Sequence, residues 1–177
     1  MTRVLTAHTS DLDDATLTAA RALLDLVFCG ELEPSDWEHA LGGVHALVYE
    51  GSELVGHAAV IQRRLLHGGR ALRAGYVEGV GVHAAHRRRG HAGAMMAALE
   101  GVIRSAYEVG ALGATDMAAP FYAGRGWRLW EGPLHALTPS GVVRTHDEEG
   151  AIYVFPAAAA LDLRGPLTCD WRDGDVW

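Results

Sequence analysis

The stretch Val80-Gly81-Val82-His83-Ala84-Ala85-His86-Arg87-Arg88-Arg89-Gly90-His91-Ala92 decides how this chain is read. An apolar, β-rich run from Ala71 to Val82 leads into it. A run at helical spacing, Ala94 to Ala106, leads out, with Met95, Met96, Leu99, Val102 and Ile103 on one stripe. Strand, glycine-bearing turn and helix together make a place for phosphate. The first turn of a helix leaves backbone N–H groups without partners, and its dipole end is positive, so an anion there satisfies both. Gly90 lets the backbone approach the anion, and Ala92 keeps side-chain bulk away from it. Arg87, Arg88 and Arg89 can add charge-assisted hydrogen bonds. The bland alternative is a solvated basic helix start. The two methionines read as core packing.

Outward from this segment the chain alternates helix and strand. Val4 to Thr9 is expected as a strand. Asp13 to Cys29 is expected as a helix with Leu17, Ala20, Leu23, Leu24, Val27 and Phe28 at helical spacing, capped by Asp11 or Asp13 and ended by Gly30. Ser35-Asp36-Trp37-Glu38 suggests a cap and a short second helix that stops at Gly42-Gly43. Three strands follow as a meander: Val44 to Glu50, Leu54 to Leu66 and Ala71 to Val82, with turns at Gly51-Ser52 and Gly68-Gly69. Beyond the helix come a buried strand at Ala111 to Ala114 and a short helix at Met117 to Ala123. Further strands are expected at Trp127 to Trp130, Leu134 to Thr138, Val142 to Arg144, Ile152 to Phe155 and Leu161 to Cys169. This order predicts an α/β fold with a central mixed β-sheet flanked by helices, in one domain over residues 1–177.

Composition narrows the function. The formal net charge is -7 and every positive side chain is Arg. An acidic domain is a poor partner for nucleic acid and a better one for a cationic small molecule. No uncharged apolar run approaches the ~20 residues a bilayer requires, and the N-terminus lacks the apolar core of a signal peptide, so a cytoplasmic protein without membrane association is expected. Two cysteines, Cys29 and Cys169, make no disulfide framework and are expected as ordinary buried thiols. Among ten histidines, His83 and His86 are three apart, but no His-Glu-x-x-His or Cys-x-x-Cys occurs and no metal is expected. His83, His86 and His91 either contact a cofactor or are solvated.

The Arg87-to-Ala92 loop, in the order Arg-x-x-Gly-x-Ala, resembles the diphosphate loop of the Gcn5-related N-acetyltransferases. The resemblance implies that acetyl-CoA is the cosubstrate. It implies that Val80, Gly81 and Val82 meet the pantetheine through backbone groups, and that Arg87, Arg88, Arg89, Gly90, His91 and Ala92 wrap the pyrophosphate. It also implies that the parallel strands ending at Val82 and at Ala111-Ala114 splay apart around the cofactor arm.

A narrower resemblance covers nearly the whole chain. It is carried by Asp36-Trp37-Glu38-His39, Leu41-Gly42-Gly43, Val60-Ile61-Gln62-Arg63-Arg64, Gly75-Tyr76-Val77-Glu78-Gly79, Gly126-Trp127 and Cys169-Asp170-Trp171-Arg172-Asp173-Gly174-Asp175-Val176-Trp177. These stretches are similar to the aminoglycoside 2′-N-acetyltransferases. The family implies Glu78 as a general base acting directly or through water, and Tyr122 as the general acid. It implies a substrate wall of Glu31, Asp36, Glu78, Gly79, Gly113, Asp147, Glu148, Asp175 and Trp177 around a cationic aminoglycoside, and a homodimer.

The roles suit the chemistry: an amine that is protonated at neutral pH must lose its proton before it attacks a thioester. No covalent intermediate is required. Read without the family, Tyr122 is packing as readily as acid, Glu78 could pair with an Arg, and the Asp147-Glu148-Glu149 run could be a solvated loop. The sequence also departs from the family pattern, with Glu31 and Glu148 where Asp is expected, Leu32 where Phe is, and Gly113 near an expected Ser. These departures lie on the implied substrate wall. They leave open a gentamicin- or tobramycin-like substrate, a kasugamycin-like one, another small amine such as a polyamine or cell-wall amino sugar, or a non-catalytic acyl-CoA-binding module.

Overall fold

Apolar residues two apart at the start of the chain form β1 (Thr2–His8), and Asp13 then starts α1 (Asp14–Val27). The computed structural model describes all 177 residues, Met1–Trp177. They form two compact units, one of residues 1–61 with 77–102, the other of residues 62–76 with 103–177.

The first unit contains β1, α1, α2 (Pro34–His39), β2 (Val44–Glu50), the first part of β3 (Glu53–His67), the last part of β4 (Arg70–Val82) and most of α3 (His91–Ala106). Of the two candidate caps for α1, Asp13 is the one used: its Oδ1 accepts from the Thr16 N–H at 2.8 Å. The helix ends through Cys29 and Gly30, both left-handed, with the Gly30 N–H donating to Asp25 O at 2.8 Å. Cys29 is therefore exposed at a turn, not buried as expected. The cap of α2 is Glu33 rather than Ser35. Glu33 and Asp36 bond each other's backbone reciprocally, and Pro34 fits the first helical position, where no N–H partner is needed.

Strands β1 and β2 pair antiparallel from Thr2↔Glu50 to His8↔Val44, and β2 pairs antiparallel with β3 from Val44↔Val60 to Glu50↔Glu53. The core joins Ala20 and Leu24 of α1 to Trp37, Ala40, Leu47 and Ala59. Met95 is fully buried, and a Cβ on Gly56 would stand 3.2 Å from its sulfur, so it fills a core gap as read.

The second unit holds the remainder of β3, β4 and α3, with β5 (Val109–Gly113), α4 (Ala119–Ala123), β6 (Arg128–Leu129), β7 (Leu134–Thr138), β8 (Gly141–Arg144), β9 (Ile152–Pro156) and β10 (Leu167–Cys169). The sheet order here is β6-β9-β5-β4-β3-β10-β7-β8. Parallel pairs occur between β4 and β5, over Ala74↔Val109 to Tyr76↔Ala111, and between β10 and β7; the remaining registered pairs are antiparallel. The sheet is thus mixed and flanked by helix, the α/β arrangement expected. The last strand is short because Gly165 N bonds back to Asp162 O in a turn and Trp130 Nε1 donates to Gly165 O, so the chain straightens only at Leu167. No helix is long and apolar enough to cross a membrane.

Candidate active site

The quoted segment lies within the first unit, and its parts divide differently from the sequence reading. Helix α3 begins at His91, because Gly90 takes a left-handed φ of 83° and its carbonyl accepts the Ala94 N–H at 3.0 Å. His91 and Ala92 therefore belong to the first helical turn, not to the loop. Arg88 is also left-handed, with φ 62°, a conformation that costs a non-glycine residue about 1–2 kcal/mol and that persists where surrounding structure imposes it.

The three arginines do three different things. Arg87 Nε donates to the Val82 carbonyl at 3.3 Å. Arg88 is exposed. Arg89 Nη1 turns back to Glu50 Oε2 at 2.9 Å, and His91, buried at 5% exposure, places Nε2 2.7 Å from Glu50 Oε1. The His91 hydrogen bond, with Arg89 and His86 beside it, holds the Glu50 carboxyl below the usual carboxylate range. The side chains of Arg89 and His91 thus staple the loop to β2, which leaves Arg87, Arg88 and the helix start as the groups facing outward.

A long helix beginning at exposed cations and a small half-buried Ala92 fits a diphosphate. Glu50, His86 and His91 also bring one metal-ligating atom each within 4.8 Å of one another. The Arg89 guanidinium already sits on that carboxylate, so the cluster reads as an ion-pair node.

Leading into the loop, β4 kinks at Gly79. Its φ of 58° turns the Gly79 carbonyl toward His57 Nδ1, 2.8 Å away, and a Cβ there would meet Leu24 Cδ1 at 3.1 Å. Glu78 and Val80 flank the kink and both are half-buried. Gly81 packs directly under α1: a Cβ would stand 2.9 Å from Leu24 Cδ2. Glu31 lies exposed in the turn after α1, whereas Asp36 Oδ2 accepts the Glu33 N–H at 2.9 Å and so serves as a cap.

In the second unit Tyr122 of α4 is buried, its ring 5.1 Å from Phe121 and 6.1 Å from Trp127. Burial pushes its phenol up to about 12, so it keeps its proton at neutral pH. The structure brings Asp147, Glu148 and Asp175 together: burial, then Asp175, then Asp147 raise the Glu148 carboxyl above its ordinary value. The C-terminal segment is pinned beside them. Trp177 is buried, its Nε1 donates to Thr145 Oγ1 at 2.8 Å, and its backbone N–H donates to Asp175 Oδ1 at 3.0 Å.

Arg63, which the sequence reading assigned no role, does the pinning. At 4% exposure it donates from Nε to Asp170 Oδ1 and from Nη2 to the carbonyls of Asp170 and Val176, with its guanidinium over the Tyr76 ring. Gly113 ends β5; a Cβ there would meet only Ile152 Cδ1 at 3.8 Å and Tyr76 Oη at 3.9 Å, so a serine would fit. Cys169 is buried, with its thiol pushed up to about 11, which leaves it a poor nucleophile.

Two pairings escaped the sequence reading besides Arg63. One is the Glu50 staple. The other is a buried chain from Thr9 through His45 and His57 to Gly79. The signal for Arg63 was parity: exposed and buried positions alternate from Gln62 to Leu65 and Arg63 takes a buried one, whereas His57 lies in a run of β3 buried at every position.

Comparisons with known proteins agree with this geometry. The acetyltransferase (GNAT) domain family matches residues 8–130. An aminoglycoside 2′-N-acetyltransferase of Mycolicibacterium fortuitum is 49% identical over 174 residues, covering 96% of this chain and 89% of that protein. Among solved structures, Escherichia coli ElaA has a TM-score of 0.62 at 20% identity, over 87% of this chain and 97% of that one. Eis1 of Mycobacterium abscessus has a TM-score of 0.61 at 21% identity over 75% of this chain, which spans 32% of that longer protein. At these identities the two structures speak for the fold, while the family match and the Mycolicibacterium relative speak for descent. The chain belongs to the GNAT acetyltransferases, as an acetyl-CoA-dependent N-acetyltransferase of the aminoglycoside 2′-N-acetyltransferase family.

Proposed function

We propose that this enzyme acetylates the 2′-amino group of an aminoglycoside antibiotic and so confers resistance to it. The observation that supports this most is the acidic group of the second unit. Glu148 is raised above its ordinary value first by burial and then by Asp175 and Asp147, and a polycation would relieve the repulsion among the three acids.

In this reading acetyl-CoA supplies the activated acetyl thioester, and the residues of the chain manage the protons. Arg87, Arg88 and the start of α3 hold the diphosphate, and the backbone of Val80 to Val82 lines the pantetheine. Glu78, directly or through a water, takes the proton of the substrate ammonium, freeing the nitrogen lone pair to attack the acetyl carbonyl carbon. The Val80 N–H donates to the carbonyl oxygen as it gains charge. As the carbon–sulfur bond breaks, Tyr122, which burial keeps protonated at neutral pH, gives its proton to the departing sulfur. The nitrogen gives up its second proton as the intermediate collapses, which restores the Tyr122 phenol, Glu78 returns its proton to solvent, and the products are the amide and the free CoA thiol. By the family resemblance, Glu31, Asp36 and Gly79 of the first unit and Gly113, Asp147, Glu148, Asp175 and Trp177 of the second each take part in recognising the amino sugar. The chain works as one catalytic domain, in the cytoplasm, as a homodimer.

Gly113 favours a second reading of the substrate. With no side chain at that position, and longer acids at Glu31 and Glu148, the wall suits a smaller or differently shaped amino sugar such as kasugamycin. Acetyl-CoA consumption with tobramycin, gentamicin and kasugamycin, followed by locating the acetyl group by NMR, tests both readings. Turnover with the acetyl on the 2′ nitrogen is expected. Acetylation at a different nitrogen overturns the regiochemistry, and turnover only with polyamines or cell-wall amino sugars overturns the substrate class.

A further inference from the structure

The first unit contains a buried polar chain that the acetyl-transfer chemistry does not use. His45 and His57 are both fully buried in the sheet. Thr9 Oγ1 lies 2.8 Å from His45 Nε2, His45 Nδ1 lies 2.9 Å from His57 Nε2, and His57 Nδ1 lies 2.8 Å from the Gly79 carbonyl. A carbonyl only accepts, and that fixes the direction of the whole chain. His57 must carry its proton on Nδ1 to reach Gly79, so its Nε2 accepts. His45 must then donate from Nδ1, so its own Nε2 accepts from the Thr9 hydroxyl. Both imidazoles are neutral Nδ1–H tautomers. Burial keeps them so: each is lowered to about 4, His45 by burial and then by His8, and His57 by burial, against which its Gly79 hydrogen bond pulls upward, and then by His45. The Trp37 ring, 5.9 Å away, packs against His57 as well.

The end of the chain is not an ordinary sheet position. Gly79 is left-handed within β4, and its carbonyl lies 2.8 Å from His57 Nδ1. That half-buried carbonyl needs a donor. His57 supplies the donor and thereby holds the kink. The groups on either side are the Glu78 side chain and the Val80 N–H, and the Gly79 dihedrals set their mutual direction.

We propose that His57 is a positioning residue for acetyl transfer, acting through the Gly79 carbonyl to hold Glu78 and the Val80 N–H in register with one another, with His45 and Thr9 fixing its tautomer. The inference rests on the roles proposed above for Glu78 and Val80. A displacement near 1 Å at such a site costs on the order of a hundredfold in rate, so the kink has to be held rather than merely allowed.

The test has two parts. Long-range ¹⁵N–¹H correlation spectra of the unaltered enzyme at neutral pH should show both His45 and His57 as Nδ1–H tautomers. An Nε2–H tautomer at His57 overturns the proposal. In the second part, His57→Asn and His57→Gln are compared. An Asn amide stands where Nδ1 stood and can donate to Gly79, whereas a Gln amide reaches past it. His57→Gln should lower kcat at least tenfold with the acetyl-CoA KM within about twofold, and His57→Asn should recover most of kcat. Equal kcat in the two variants, or an unchanged kcat in His57→Gln, overturns the proposal. Glu78→Gln serves as the reference: if it too leaves kcat unchanged, the reading of the site has failed, whereas a loss in Glu78→Gln without one in His57→Gln refutes the positioning role alone.

Discussion

Three glycines allow backbone strain and packing to be measured separately in the unit that carries Glu78. Gly42 has φ 85° and open space around a built Cβ, so alanine there meets only the left-handed penalty, about 1–2 kcal/mol. Gly81 lies outside the left-handed region, but its Cβ would press on Leu24 Cδ2 at 2.9 Å and Val27 Cγ1 at 3.2 Å, an overpacking cost of about 1–3 kcal/mol. Gly79 combines the two, with φ 58° and contacts at 3.1 Å to Leu24 and 3.3 Å to the His57 ring. Gly79→Ala should therefore lose about 2–5 kcal/mol, near the sum of the other two, a large share of the ~5–15 kcal/mol by which domains are stable. Urea unfolding of the three single variants, compared at equal slope, measures each loss. Turnover of the folded fraction should fall most in Gly79→Ala, because only that substitution strains the kink beside Glu78. If Gly79→Ala proves no less stable than Gly42→Ala, the packing of Leu24 and His57 against the kink is not what the geometry says.

Acid should weaken the fold through its buried histidines. Because His45 and His57 are lowered to about 4 from an ordinary 6.5, the unfolded chain binds more protons between those values. Stability should then fall as pH drops from ~6.5 toward ~4, by roughly 3 kcal/mol per imidazole if they titrate independently; urea midpoints at pH 7 and 4.5 measure it, and the loss should shrink in His57→Asn. Glu50→Gln removes the charge that holds Arg89 and His91, and steady-state kinetics should show the acetyl-CoA KM raised roughly three- to tenfold with kcat nearly kept. Binding of a cationic amine should release a proton from Glu148 at mildly acidic pH, since a nearby cation favours the carboxylate against the burial and the neighbouring acids that raise its pKa; calorimetry in buffers of different ionisation enthalpy should detect that release in the unaltered enzyme and not in Glu148→Gln.

The features legible in the sequence were those written in period and punctuation. Strand β2 and strand β7 carry the bounds expected of them, because turn residues flank apolar runs on both sides. The start of α3 was misplaced by three residues because Gly90 read as loop, when a left-handed glycine directly before a helix is what allows the first turn to begin at once. The cap of α2 was assigned to Ser35 by residue type, but Pro34 can only be helical at the first position, and that moves the cap back to Glu33. Long-range pairings were not legible at all. Arg63 meets Asp170 across 107 residues, and no local pattern marks which acid a buried guanidinium will find.

What could be extracted from such residues is the demand, if not the partner. A histidine or arginine on the apolar face of a strand needs partners for the polar atoms it buries; Arg63 finds three through Nε and Nη2, and its buried Nη1 has none. The Arg87-Arg88-Arg89 run shows the converse. Three identical cations in sequence were read as one anion-binding patch, yet one faces Val82, one is exposed in a strained turn and one is tied to Glu50. A variant of Arg89 would loosen the loop before it removed any charge from a ligand, and Arg88→Gly would relieve strain while removing one. The number of arginines in the loop is therefore a poor guide to the number of diphosphate contacts. The fixed elements are the left-handed Gly90 and the helix start directly after it, three residues earlier than the sequence reading put it.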